Sequence, residues 1–96
     1  MLIARVEGSA VSTMKDPELT GIKLLVVREA GIDGEPDGVA FVAADAVGAG
    51  VGELVLIATG SAARETKLTR ERPIDAVIMA ILDSLEAGGE VTFRKS

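Results

Sequence analysis

The chain has 96 residues, 15 acids against 10 bases for a net charge of −5, and neither cysteine nor histidine. That length allows one domain; disulfide staples and zinc sites of the usual ligands are excluded, and the acidic balance disfavours a general binder of phosphate backbones. Yet 48% of the residues are hydrophobic, while a domain this short buries only about 60–65% of the surface its unfolded chain exposes. Burying the excess between subunits is the natural resolution, so an oligomer is expected.

The only N-terminal apolar run is interrupted by Arg5 and Glu7, so no signal peptide is expected. No stretch approaches the roughly 20 apolar residues of a membrane span. Absence of cysteine is compatible with the cytoplasm.

Residues 2–11 alternate: Leu2, Ala4, Val6, Gly8 and Ala10 share one face, and Ile3, Arg5, Glu7, Ser9 and Val11 the other. This is the two-residue period of a half-buried strand, with Gly8 marking a bend. Met14 to Gly21, with Asp16-Pro17 inside it, reads as a loop. Ile22 to Arg28 is a second strand, expected to bury Ile22, Leu24 and Val26. Ala30 to Gly38 holds three glycines, a proline and three acids, the composition of an exposed hairpin connection.

Val39–Ala44 and Glu53–Thr59 read as the third and fourth strands, separated by a turn with glycines at 48, 50 and 52. Glycines that dense imply positive φ or close approach to a neighbour. After Thr59, a Gly60-Ser61 step leads into one helical turn, and Arg64 to Arg72 is locally basic, read as a solvated loop. Residues 73–87 pose a conflict. Ile74, Val77, Ile78, Ile81, Leu82 and Leu85 fit a helical stripe, but Val77-Ile78 is β-branched and Gly88-Gly89 before Val91-Thr92-Phe93 is a hairpin signal. The expectation is one helical turn at Pro73–Ala76, a buried strand, a turn at 87–90 and a last short strand. Five or six short strands hide their edges most simply in a small, closed or nearly closed antiparallel barrel.

The chemistry-bearing motifs are sparse. Gly48-Ala49-Gly50-Val51-Gly52-Glu53 departs from the dinucleotide fingerprint at Glu53 and leads into a strand, so no helix N-terminus meets a phosphate. Asp45, Asp75 and Asp83 lie at or within apolar strands without a histidine, cysteine or serine–base partner. Aspartate at a strand end is expected to accept N–H bonds from the following turn, with Arg64 a candidate to pair with one of them. Phe41 and Phe93 are the only aromatics, too few to stack single-stranded nucleic acid in an acidic chain. No catalytic residue, metal site or cofactor is expected. On composition and spacing alone, the chain is a small β protein.

Three blocks together resemble the EutN/CcmL family, the pentameric vertex proteins of bacterial microcompartment shells. They are Met1–Gly8 with Gly21–Val27, Asp45–Glu53 running on to Gly60–Arg64, and Pro73–Asp83. The resemblance implies a single domain over 1–96, all-β: a five-stranded OB-like antiparallel barrel with one short helical turn and a C-terminal hairpin. It favours strand over helix at 77–85. It further implies a homopentamer that caps the five-fold corners of a cytoplasmic, carboxysome-like shell beside hexameric shell proteins, with no catalysis. Ala46, Gly48, Ala49, Gly50, Val51 and Gly52 are then expected at the five-fold axis and subunit interface, with Asp45, Ser61, Arg64 and Asp75 as polar residues of turns or interface. The alternative is an OB-like barrel that binds a small ligand or single-stranded nucleic acid.

Overall fold

A computed structural model describes residues 1–11, 21–60 and 75–95. Its regular elements are seven strands: β1 (Leu2–Ala10), β2 (Leu24–Ala30), β3 (Pro36–Asp45), β4 (Leu54–Thr59), β5 (Ala76–Ile81), β6 (Ser84–Ala87) and β7 (Glu90–Arg94). The first five close into a barrel in the order β1-β2-β3-β5-β4, with β4 pairing back onto β1, while β6 and β7 form a separate two-stranded sheet. Closure matters for so short a chain, because it removes the free edges that would otherwise recruit other strands.

Alternation in the sequence explains the wall. Ala4 and Val6 of β1 point inward and meet Leu25 and Val27 of β2, Ala43 of β3, Val55 and Ile57 of β4 and Ile78 of β5 in one buried cluster. Each fully buried Val, Leu or Ile contributes about 1.5–3 kcal/mol. β1 slips register against β2 between Val6 and Gly8, the bulge that bends the strand around the barrel. The bend expected at Gly8 coincides with this bulge.

Four seams of the barrel are antiparallel; the fifth, β3 to β5, is parallel, with Ala44 against Val77 and Asp45 against Ile78. A uniformly antiparallel ring of five strands is impossible, because direction must alternate around it and five is odd. The expected barrel therefore stands with this one exception.

Several local expectations are corrected. β2 buries Leu25 and Val27, not Ile22, Leu24 and Val26. Every residue from Ile22 to Val27 except Lys23 is apolar, so the sequence pattern fits either phase; pairing with β1 and β3 decides it. Leu24 still packs, but outside, in a row with Ala44, Val77 and Ala58 and next to Ile22. Ala30 to Gly38 is a hairpin connection as read, but shorter: β2 and β3 run into it from both sides, and Ala30 and Gly34 are buried. Ala76 begins β5 rather than closing a helical turn, and Asp83 stands in the break between β5 and β6 rather than within a strand. Pro73 and Ile74, the helical step after Gly60, the loop from Met14 and the basic stretch from Arg64 lie outside the described residues.

Candidate functional site

The turn joining β3 to β4 is built around Asp45, the last residue of β3. Its Oδ1 accepts the N–H groups of Val47 and Gly48 at 3.0 Å each, and Oδ2 accepts that of Ala49 at 3.1 Å. Lys23 Nζ stands 3.8 Å from Oδ2, and the carboxylate side chain is only 2% exposed. A buried carboxylate surrounded by donors is satisfied; this is the turn-capping role read for it. Ala49 then turns inward and is 2% exposed, its methyl group joining the core cluster. Gly48 and Gly52 hold φ of +78° and +89°, the left-handed region that other residues enter at a cost. Gly50 does not, and a Cβ there would come no nearer than 3.4 Å, to Glu53 Oε1, so nothing within the subunit requires glycine at this position.

The second half of the turn is held from elsewhere. Gly52 donates its N–H to the Val6 carbonyl at 2.8 Å, and Val6 donates to the Glu53 carbonyl at 2.9 Å. Glu53 Oε1 accepts the Gly50 N–H at 2.7 Å, while Oε2 accepts from Lys95 Nζ at 2.7 Å. Arg5 spends Nη1 on the Gly52 carbonyl and both Nε and Nη2 on that of Gly34. Its guanidinium also lies 5.7 Å from the centre of the Phe93 ring. Gly34 has φ +81°, and a Cβ placed there would meet Phe93 at 2.6 Å, so only glycine lets ring and guanidinium settle onto this loop.

Arg5, Gly52, Glu53, Phe93 and Lys95 line a cleft of about 300 Å³ with Val51 and Leu54. Glu53 and Lys95 neutralise each other within it. The hydrogen bond from Lys95, then that from the Gly50 N–H, holds the Glu53 carboxyl below its ordinary 4.5; the same contact with Glu53 holds the Lys95 ammonium above 10.5. The depressed carboxyl contributes stability that is fully present above 4.5 and is lost as pH falls through its folded value. The raised ammonium contributes stability that is fully present below 10.5 and is lost as pH rises through its own folded value. Protection of the β6 and β7 amides, taken relative to their intrinsic exchange rate at each pH, is therefore expected to be flat between those limits and to fall beyond either. An E53Q variant should show no acid limb of this kind.

Outside the barrel, two apolar patches face opposite ways. On one, Ile3 of β1, Leu56 of β4 and Ala80 of β5 stand in register across three strands. Met79 lies beside them, 39% exposed, at the bulge that re-aims it outward. On the other, Val26 of β2 pairs with Val42 of β3, which is 48% exposed. In the strand order β1-β2-β3-β5-β4 the β2–β3 seam lies across the barrel from β4.

Of the expected site residues, Ala46, Gly48, Gly50, Val51 and Gly52 share one exposed turn, and Ala49 is its inward-facing member. Asp75 precedes β5, where its carbonyl accepts the Gly60 N–H at 2.8 Å. Ser61 and Arg64 lie outside the described residues. Among the described residues no group of acids is placed to hold a metal ion, and no helix is long and apolar enough to cross a membrane. The Arg5–Gly34–Phe93 and Glu53–Lys95 contacts were missed at the sequence level. Their only local signal is a charged residue within β1, Arg5, and another just before β4, Glu53.

A closed five-stranded barrel with a carboxylate-capped glycine turn and a hairpin appended after its last strand defines a small OB-like β-barrel class. The sequence then narrows this class. Residues 1–83 match the family model described as ethanolamine utilisation protein EutN/carboxysome, and the chain belongs to this EutN/CcmL family. It is 46% identical over 97 residues to the carboxysome shell vertex protein CcmL of Thermosynechococcus vestitus, covering 99% of this chain and 96% of the relative. It is 41% identical over 95 residues to the microcompartment shell vertex protein EutN of Salmonella typhimurium, again covering 99% and 96%. The structure of a Nostoc CcmL superposes with a TM-score of 0.92 at 44% identity, covering 99% of this chain and all of the other. The pentameric microcompartment shell protein GrpN from Rhodospirillum rubrum does so with 0.79 at 41% identity, covering 91% and 98%.

Proposed function

We propose that this chain is the vertex subunit of a bacterial microcompartment shell: five copies form a ring that closes a five-fold corner, inside the cytoplasm. The observation that carries this reading is identity above 40%, over nearly the full length of both partners, to shell vertex proteins. Likeness to a shell protein described as pentameric adds the ring size. The role is structural, without catalysis or cofactor, and the neighbours are copies of itself and the hexameric proteins of the facets. Neither nucleic acid nor membrane is a partner.

The physics supports a ring. Head-to-tail contacts close only when two different surfaces of one subunit meet at the right rotation, about 72° for five copies. The Ile3–Leu56–Ala80 patch and the Val26–Val42 patch are two such surfaces on opposite sides of the barrel. The exposed Gly48–Gly52 turn is slim enough to converge with its copies at an axis. A ligand- or strand-binding barrel is less well supported, because both aromatics are already engaged: Phe41 packs against the core and Phe93 lies against Arg5.

Native mass spectrometry tests the reading. Five copies of the 9.9 kDa chain should appear at about 50 kDa; a monomer, or any other ring size retained during shell assembly, overturns it. Gly50→Leu tests the axis. Gly50 has no positive φ, and a Cβ there comes no nearer than 3.4 Å, to Glu53 Oε1, so the subunit accommodates the change. Loss of the 50 kDa species with the barrel intact is expected, and an unchanged assembly removes this turn from the axis.

A further inference from the structure

The β6–β7 hairpin pairs with no barrel strand. A lone two-stranded hairpin is marginal in water, so what holds it is at its base. There Leu82 donates its N–H to the Leu54 carbonyl at 2.8 Å, and Lys95 donates to that of Asp83 at 2.7 Å. Side chains tie it to the barrel at Arg5, whose guanidinium lies by the Phe93 ring, at Gly34, against which the same ring rests, and at Glu53, which accepts from Lys95. The Arg5 and Glu53 side chains also secure the second half of the glycine turn, at the Gly52 carbonyl and the Gly50 N–H. The first half is secured by Asp45, which touches nothing in the hairpin. One guanidinium and one carboxylate thus serve two segments that lie more than 30 residues apart.

We infer that the β6–β7 hairpin is a strap that sets the position of the Gly50–Glu53 half of the turn, so that the two segments tighten and loosen together. Glycines lose the most conformational freedom on ordering, and besides these side chains three backbone bonds restrain this half turn: Gly52 N–H to Val6, Val6 N–H to Glu53 and Glu53 N–H to Gly50. Freeing the hairpin releases the Glu53 carboxylate from Lys95 and uncovers the Arg5 guanidinium. Both then reorient, and the Gly50 N–H and Gly52 carbonyl lose fixed partners. Coupling of this kind is reciprocal: loosening the turn must loosen the hairpin. Where the turn lies at the ring axis, which rests on the vertex reading above, anything that grips the hairpin in a shell also adjusts the geometry of the axis.

Residue-resolved amide exchange on the full chain tests this. Lys95→Gln alters an exposed side chain and leaves the barrel folded; E53Q keeps an oxygen for the Gly50 N–H while breaking the ion pair. Lys95→Gln should speed exchange at Gly50 by about tenfold, with Val47, Gly48 and Ala49 and the core amides of Val27, Val55 and Ile57 unchanged. E53Q should speed the β6–β7 amides, and the double variant should be no faster than the faster single, the mark of one shared interaction. Phe93→Ala should reproduce the pattern through Arg5. Fast hairpin amides with an unchanged Gly50, additive effects, or acceleration of the core amides as well would each overturn the strap. The wild-type native mass is a separate readout: a mass other than five subunits sinks the vertex reading and leaves the exchange test of the strap intact.

Discussion

Asp45→Ala is expected to destabilise the barrel by about 2–4 kcal/mol. The carboxylate is the acceptor for three consecutive N–H groups, and the substitution strands them unequally. Val47 and Gly48 are exposed and can turn to water, whereas Ala49 is buried with its methyl in the core. A buried donor left without a partner costs about 1–3 kcal/mol on its own, and loosening of Ala49 adds a loss of packing. For a domain whose whole stability is on the order of 5–10 kcal/mol, that is a large share. Urea denaturation should show a lower midpoint with an unchanged slope. Asp45→Asn should fall between, since one oxygen remains to accept. A loss below about 0.5 kcal/mol for the alanine variant would mean that the turn holds itself without the carboxylate.

Placing a charge in either outer patch should dissolve the ring while sparing the subunit. Val42 is 48% exposed, and Leu56 is half-buried on the outer wall, so Val42→Glu and Leu56→Glu each put a negative charge where a neighbouring subunit is proposed to sit. An unpaired charge at a desolvated contact costs several kcal/mol, which weakens each contact by about a hundredfold or more. Native mass should then report monomers near 9.9 kDa with the wild-type circular dichroism of a β protein. Mixing the two variants is the sharper measurement. In a head-to-tail ring each variant retains one sound surface, and the two sound surfaces are complementary. Equimolar mixing should yield a dimer of about 20 kDa and nothing larger. Self-dimers of either variant alone would point to an isologous contact and rule out this pairing of faces.

How far the fold could be read from the residues depended on whether the pattern was broken by something other than an apolar side chain. β1 was legible because Arg5, Glu7 and Ser9 punctuate it, and the capped turn because Asp45 and the alternating glycines have few other uses. β2 was legible as a strand but not in its phase: with Leu24, Leu25, Val26 and Val27 in succession, alternation carries no information. For β5, Val77 to Ile81 fits a helix and a strand equally well on periodicity, and the Gly88-Gly89 turn and the family resemblance tipped the reading correctly. Arg5 is legible only as a polar member of the face it shares with Ile3, Glu7, Ser9 and Val11. Its partners at Gly34, Gly52 and Phe93 lie 29 to 88 positions away, and nothing local announces them. Among the described residues the strands number seven, against the five or six expected, because the break at Leu82-Asp83 divides what reads as one continuous run.

The parallel seam has a consequence for how the barrel comes together. β1, β2 and β3 follow one another as a meander whose pairings join neighbours along the chain. The seam joins Ala44-Asp45 to Val77-Ile78, brief in extent and bridging more than 30 intervening residues. Contacts that enclose a long loop gain their free energy only after the entropy of closing it has been met. The meander is therefore the natural early structure. Once it has formed, the short turn after Asp45 brings β4 onto β1, and β5 pairs with β4. That leaves this two-position seam as the natural last stitch, and a barrel that shuts there will also breathe there first.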